Sequence, residues 1–318
     1  TITKLLMYKN IFISIALILF FSNNAVSTKV EIISKVNEEV ITNLDIDYEI
    51  KYLKFLNPKL DDLNNQNALI QLAKKSIIRE IIKKKELINY INLNEEHLDV
   101  IKQIEIDLIK KKNLNNKNEL KKIVLSKDLN YNKLFQKLKI EAMWNELIFQ
   151  KYINNVKIDE TKLKKQVQKF KNEYSFSYDY SLSEILFEIE KDQTFENRLD
   201  EIKESIEKIG FDNTANIYSV SDSSKFGGKV GWVNESQISE VISNNIKNLK
   251  INELSKVLKS PAGYLILKIN DKKKINEPFD EKKYFNMLKQ AKTNQQLNQF
   301  SIVFFKRLKQ NTFINEYK

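Results

Sequence analysis

From residue 30 onward, short apolar runs alternate with polar breaks, and their spacing predicts the elements of the chain. Val30, Ile32, Ile33 and Val36 precede Asn37, Glu38 and Glu39, and Val40 and Ile41 follow, the pattern of a small hairpin. Asn43 is expected to cap a helix opening on Leu44, Asp45, Ile46 and Asp47, whose acids suit the positive end of the helix dipole. Beyond Pro58, apolar pairs at Leu69/Ile70, Leu72/Ala73, Ile77/Ile78, Ile81/Ile82 and Leu87/Ile88 recur close to the helical period. A further helix is expected to open at 94–97, with Leu98, Ile101, Ile104 and Leu108 on one face. Another should follow Asn118, a long one should run over about 131–154, and Asp159 should cap one ending before Tyr174.

The texture changes at Phe176. Phe176, Tyr178, Tyr180 and Leu182 alternate with polar residues and the strand continues through 184–187. Helical stretches near 194–209 and 212–218 come next, and then four of the five glycines fall between 227 and 263. Gly227, Gly228 and Gly231 read as a tight turn entering a strand, and Pro261 and Gly263 as a turn before the β-rich run 264–269. Strand, two helices, strand, helix and strand make an α+β domain. After Pro278 the chain returns to helix until about 311 and closes on a short edge strand over 312–317. The apolar face of that last helix (Phe285, Leu288, Leu297, Phe300, Phe304) needs a partner, and the N-terminal helices offer one.

The fold expected is therefore α+β, a mostly helical body with an inserted α+β domain. Its parts are 1–28 as a signal, 29–174 as hairpin and helices, 175–274 as the inserted domain, and 275–318 as the helix and strand completing the body.

Composition agrees with this plan. A chain of 318 residues with 42% hydrophobic and 30% charged residues can bury real cores, and only 5 Gly and 3 Pro favour long helices. Net charge is +11, which raises the question of nucleic acid or an anionic membrane surface. The lysines are spread over helix faces, however, as at Lys83, Lys84, Lys85 and Lys110, Lys111, Lys112, each set beside apolar pairs. Solvated helix faces are the reading adopted, with no nucleic-acid partner. Cysteine is absent, which excludes disulfides, thiol catalysis, thiolate zinc sites and a lipidated cysteine within these residues.

At the N-terminus Lys4 and Lys9 precede an apolar run over 11–21, and small residues Ala25 and Ser27 sit three and one before a cut after 27. This is the three-part pattern of a secretory signal, and the run falls short of the roughly 20 residues of a comfortable bilayer span. Cleavage would leave no stable membrane span; retention of 11–21 as an anchor is the alternative.

Candidate chemistry is sparse. His97 is the sequence's single histidine, flanked by Glu95 and Glu96, with no convergent ligands that would make a metal site. Neither a phosphate loop nor a Ser-His-Asp set is present, and no cofactor is expected. Asp45 and Asp47 read as helix-dipole partners and Trp232 as core. Trp144, with Met143 and Phe149, is either core or part of an apolar groove for client chains.

Several of these segments resemble a known family. Residues 128–135 with Glu141 downstream, and 36–42 leading into an acidic helix start, are similar to the N-terminal region of SurA-type chaperones. Residues 182–186, 227–232, 249–255 and 263–268 resemble a parvulin domain, and 308–317 the family's closing helix and strand. The resemblance implies a periplasmic chaperone that binds unfolded exported polypeptides, outer-membrane β-barrel precursors among them, on a helical cradle. Substrate contacts would fall at Trp144 and Phe149 in the cradle and at Ile238 and Ile242 in the parvulin-like domain.

Parvulins rotate X–Pro bonds in a pocket with two facing histidines, a nearby Cys or Asp, and Met and Phe side chains around the proline ring. Carried over by position, the histidines fall on Glu184 and Leu265, the Cys/Asp position near Asp222, Met on Ile238, Phe on Ile242, and a hydroxyl-bearing residue on Ala262. Leucine can neither donate nor accept a hydrogen bond, so the implied pocket is catalytically degenerate with an apolar floor. The alternative implied by the same resemblance is an active prolyl isomerase, tethered to the membrane if 11–21 is retained.

Overall fold

The structure, a computed structural model, describes residues 29–91, 97–173, 177–190, 192–276 and 278–317. The export signal expected over 1–28, together with Glu95, Glu96, Tyr174 and Phe176, lies outside the described residues. The chain divides into Thr1–Glu31 and Ile32–Lys318, and every element below belongs to the second unit.

Strands β1 (Ile32–Val36) and β2 (Glu39–Thr42) form the expected hairpin, turning on Asn37 at φ 51°, a left-handed conformation that Asn tolerates well. Helix α1 (Asn43–Leu56) follows directly. Its cap is Thr42, one residue before the expected Asn43, because Thr42 and Asp45 make a reciprocal capping box. The Asp45 amide donates to Thr42 Oγ1 at 3.3 Å and the Thr42 amide to Asp45 Oδ2 at 3.0 Å.

Asn65 caps α2 (Gln66–Leu87), and α3 (Leu98–Lys111) starts after His97, which sits half-buried at φ 45°. Asn116, two residues before the expected Asn118, caps α4 (Lys117–Ser126) by accepting from the Glu119 amide at 3.1 Å. Asn130 caps the long α5 (Tyr131–Tyr152), and Asp159 accepts from the Lys162 amide at 2.9 Å to open α6 (Glu160–Glu173).

The inserted region carries β3 (Ser177–Phe187), α7 (Phe195–Tyr218), β4 (Lys229–Asn234), α8 (Glu240–Ile246), β5 (Leu258–Ser260) and β6 (Gly263–Ile275). Helix α7 breaks at Gly210, φ 81°, where the sequence predicts two helical stretches. The strands form an antiparallel sheet in the order β4-β3-β6-β5. On one face Ile185, Phe187 and Ile266 pack on Ile202, Phe211 and Ala215 of α7. On the other, Tyr180, Leu182, Leu267 and Ile269 pack on Ile238 and on Ile246 of α8.

Trp232 departs from expectation. It is 48% exposed on edge strand β4, opposite Ser181, while α7 packs around Ile185 and Phe187 at the other end of β3. Lys273 Nζ lies 4.3 Å from its ring centroid.

The chain then returns to the helical body. Helix α9 (Glu281–Gln310), capped by Asp280, leads to β7 (Ile314–Glu316), which pairs antiparallel with β1 and gives a three-stranded sheet in the order β2-β1-β7. Helix α9 seals against α5. Trp144 stacks on Phe304 with ring centroids 5.6 Å apart, and Tyr152 on Phe300 at 5.1 Å. The buried indole needs a polar partner, and Trp144 Nε1 donates to Ser301 Oγ at 2.9 Å. The apolar face of the last helix thus finds the N-terminal helices.

Candidate functional site

Strand register decides which of the candidate residues meet. Glu184 lies opposite Leu267 and Leu186 opposite Leu265, so Glu184, Leu186 and Leu265 share the face of the sheet turned toward α8. The Glu184 amide donates to Gly228 O at 2.8 Å, holding the glycine turn against β3. Gly228 has φ 75°, and a Cβ there would lie 2.2 Å from Glu184 O, so only glycine permits that approach.

Glu184, Leu265, Ile242 and Ala262 line one cavity of about 200 Å³. Its far wall is not part of the inserted region: Ala291, Lys292, Gln295, Asn298 and Gln299 of α9 close it. The Glu184 carboxylate is already committed. Oε1 accepts from Ser221 Oγ at 2.5 Å and from Ser223 Oγ at 2.9 Å. Leu265, on the same face, brings only hydrocarbon.

Asp222 stands between those serines in sequence but turns away from the cavity. Its Oδ1 lies 3.2 Å from Lys83 Nζ of α2, so the two carboxylates have separate partners. Lys83 also meets Glu141 Oε2 at 2.6 Å, and Lys225 contacts the other oxygen of Glu141. Burial alone would raise the Glu141 carboxyl, but Lys225 and Lys83 more than offset it and hold it well below the usual carboxylate range. The charge cluster joins α2 and α5 to the turn before β4.

The remaining candidates lie apart. Ile238 is buried in the core under the sheet and borders a different cavity of about 190 Å³, shared with Phe170, Tyr284 and Leu288. Trp144 is fully buried in the α5–α9 seam, whereas Phe149 on the same helix is 46% exposed. Among the described residues no group of three or more His, Asp or Glu is placed to hold a metal ion.

Sequence reasoning missed Ser221 and Ser223 as partners of Glu184, although the alternation Ser219, Ser221, Ser223 is visible in the chain. It also missed the second face of α9, whose Lys292, Gln295 and Gln299 recur at helical spacing opposite Leu297, Phe300 and Phe304.

Comparison with known proteins bears on this geometry. Residues 183–271 match the family described as Rotamase: PPIC-type PPIASE domain. The inserted module is a PpiC-type domain, and the chain resembles SurA-type chaperones. Chaperone SurA of Hydrogenovibrio crunogenus is 21% identical over 258 residues, covering 77% of this chain and 55% of that protein. Chaperone SurA of Methylobacillus flagellatus is 22% identical over 281 residues, covering 83% and 62%. The chain thus spans somewhat over half the length of these curated relatives. A SurA-like chaperone of Campylobacter jejuni of known structure is 16% identical, covering 90% of this chain and 99% of that one, at a TM-score of 0.35.

Proposed function

We propose that this protein is a periplasmic chaperone for unfolded exported polypeptides, outer-membrane β-barrel precursors among them, with a PpiC-type domain that does not isomerise proline efficiently. One observation carries the reading: α9 belongs to two structures at once. Its apolar face completes the helical body against α5, and its polar face closes the cavity where a proline would have to enter. A protein organised in this way favours holding over turnover.

The residues of the cavity support the same view. X–Pro rotation faces a barrier of about 18–20 kcal/mol, and the positions that would carry imidazoles hold a serine-bound carboxylate and a leucine. The amino-terminal pattern over 1–28 supports export, and no helix among the described residues is long and apolar enough to cross a membrane.

The test pairs two assays on the purified full chain. In a proline-peptide isomerisation assay the expected acceleration is below about tenfold, equivalent to less than about 1.4 kcal/mol off the barrier. In a light-scattering assay the same preparation should slow aggregation of urea-diluted barrel proteins. Strong isomerisation without any effect on aggregation would replace this reading with that of a foldase-type enzyme.

A further inference from the structure

A second concave surface lies away from the PpiC-type cavity. It is a crevice of about 560 Å³ between α2, α9 with β7, and the edge of the PpiC-type domain at Glu188 and Val220. That volume lies within the range of about 300–1,000 Å³ of ligand pockets. Its floor is half-buried hydrocarbon: Ile78, Val220, Ile302 and Phe305.

Its walls are cationic. Lys74, Lys75, Arg79, Lys306 and Lys309 face Glu188 and Glu316 alone among the lining acids. Two of the cations are neutralised, Lys74 by Glu316 at 2.5 Å and Lys306 by Glu188 at 3.0 Å. Lys75 and Arg79 instead donate to backbone carbonyls, Ile217 O at 3.0 Å and Val220 O at 2.7 Å. A carbonyl satisfies the hydrogen bond but carries no full charge, and Glu190 offsets the charge on Lys75 only in part.

Lys75 is exposed as a residue, yet desolvation at its ammonium, then Arg79, Lys309 and Arg198, push it down to about 8. Lys75, Arg79 and Lys309 around an apolar floor therefore repel one another, and an incoming carboxylate would relieve that repulsion.

We propose that this crevice docks extended polypeptide segments in which an acidic side chain lies beside a large apolar one. The apolar side chain sits over Ile302 and Phe305, and the carboxylate meets Lys75, Arg79 and Lys309. A floor with a single aromatic ring, Phe305, suits a peptide side chain better than single-stranded nucleic acid, whose successive bases stack on several aromatic side chains along a cationic groove. The proposal rests on the chaperone reading and names the segment chemistry it would select.

Fluorescence anisotropy on the full chain tests it, with end-capped peptides that differ only in Asp/Phe against Lys/Phe content. The wild type should bind the acidic peptide about tenfold more tightly, the advantage shrinking with added salt. Charge reversal by K75E with K309E should remove that preference. The milder K75Q with K309Q should halve it or more with an unchanged melting temperature, which separates lost charge from lost fold. Equal binding of the two peptides by a wild type that still slows client aggregation would overturn the site and leave the chaperone reading standing. A wild type that binds neither peptides nor unfolded clients would remove both. An oligonucleotide that displaces the acidic peptide from the wild type and loses its affinity for the K75E/K309E variant would make the crevice a nucleic-acid site and overturn the proposal.

Discussion

Glu141 shows how much a single side chain carries. Lys83 is almost wholly buried and Lys225 nearly so; both pair with the Glu141 carboxylate, and Lys83 has Asp222 as a second, longer partner. Removing one partner of such a cluster leaves buried charge uncompensated, so Glu141→Gln should destabilise the protein by about 3 kcal/mol in urea unfolding. The pH dependence follows from the direction of the shift. A carboxyl depressed in the folded state contributes stability that is present above its unfolded value, about 4.3, and is lost as pH falls toward the folded one. The melting temperature should hold between pH 7 and 5 and drop below about pH 4, and Glu141→Gln should flatten that drop.

The two tryptophans give an independent check at the same scale. Iodide should quench Trp232, which is half-exposed, and spare Trp144, so Trp232→Phe should leave blue-shifted, quench-resistant emission. Little of this was legible in the chain. Trp232 reads as core because aromatic residues in strands usually are, and its exposure depends on where α7 ends, a tertiary fact. Asp222 was placed near the pocket by position, yet a side chain on a turn points by local geometry, and this one points at Lys83.

At the level of elements, the seam between α5 and α9 matters most. Phe304 is buried among Trp144, Tyr152 and Leu147, so Phe304→Ala should cost about 3–5 kcal/mol and expose Trp144 to quencher. This seam was foreshadowed in the sequence, because the last helix carries an apolar stripe with no partner in its own segment. Helix starts were legible to within one or two residues. Thr42 displaced Asn43 as a cap once Asp45 could close the box, and Asn116 served where Asn118 was expected. The polar face of α9 gave no such signal, because Lys and Gln at helical spacing look the same whether they meet water or the mouth of a cavity.

At the level of the whole molecule, the two ends of the described chain are tied together, β7 to β1 and α9 to α5, with the PpiC-type domain held between them by Lys83, Glu141, Lys225 and Asp222. The plan of a helical body with an inserted α+β region was readable from periodicity and glycine placement. The cationic crevice was not, because lysine is so frequent in this chain that no single one stands out before the fold gathers them. The central claim is that clients are held for their unfolded, exposed segments and not for their prolines. The direct measurement is light scattering of two urea-diluted β-barrel clients, one natural and one with every proline replaced, at equal ratios of this protein. Equal protection of both is the predicted result, and protection confined to the proline-containing client would contradict it.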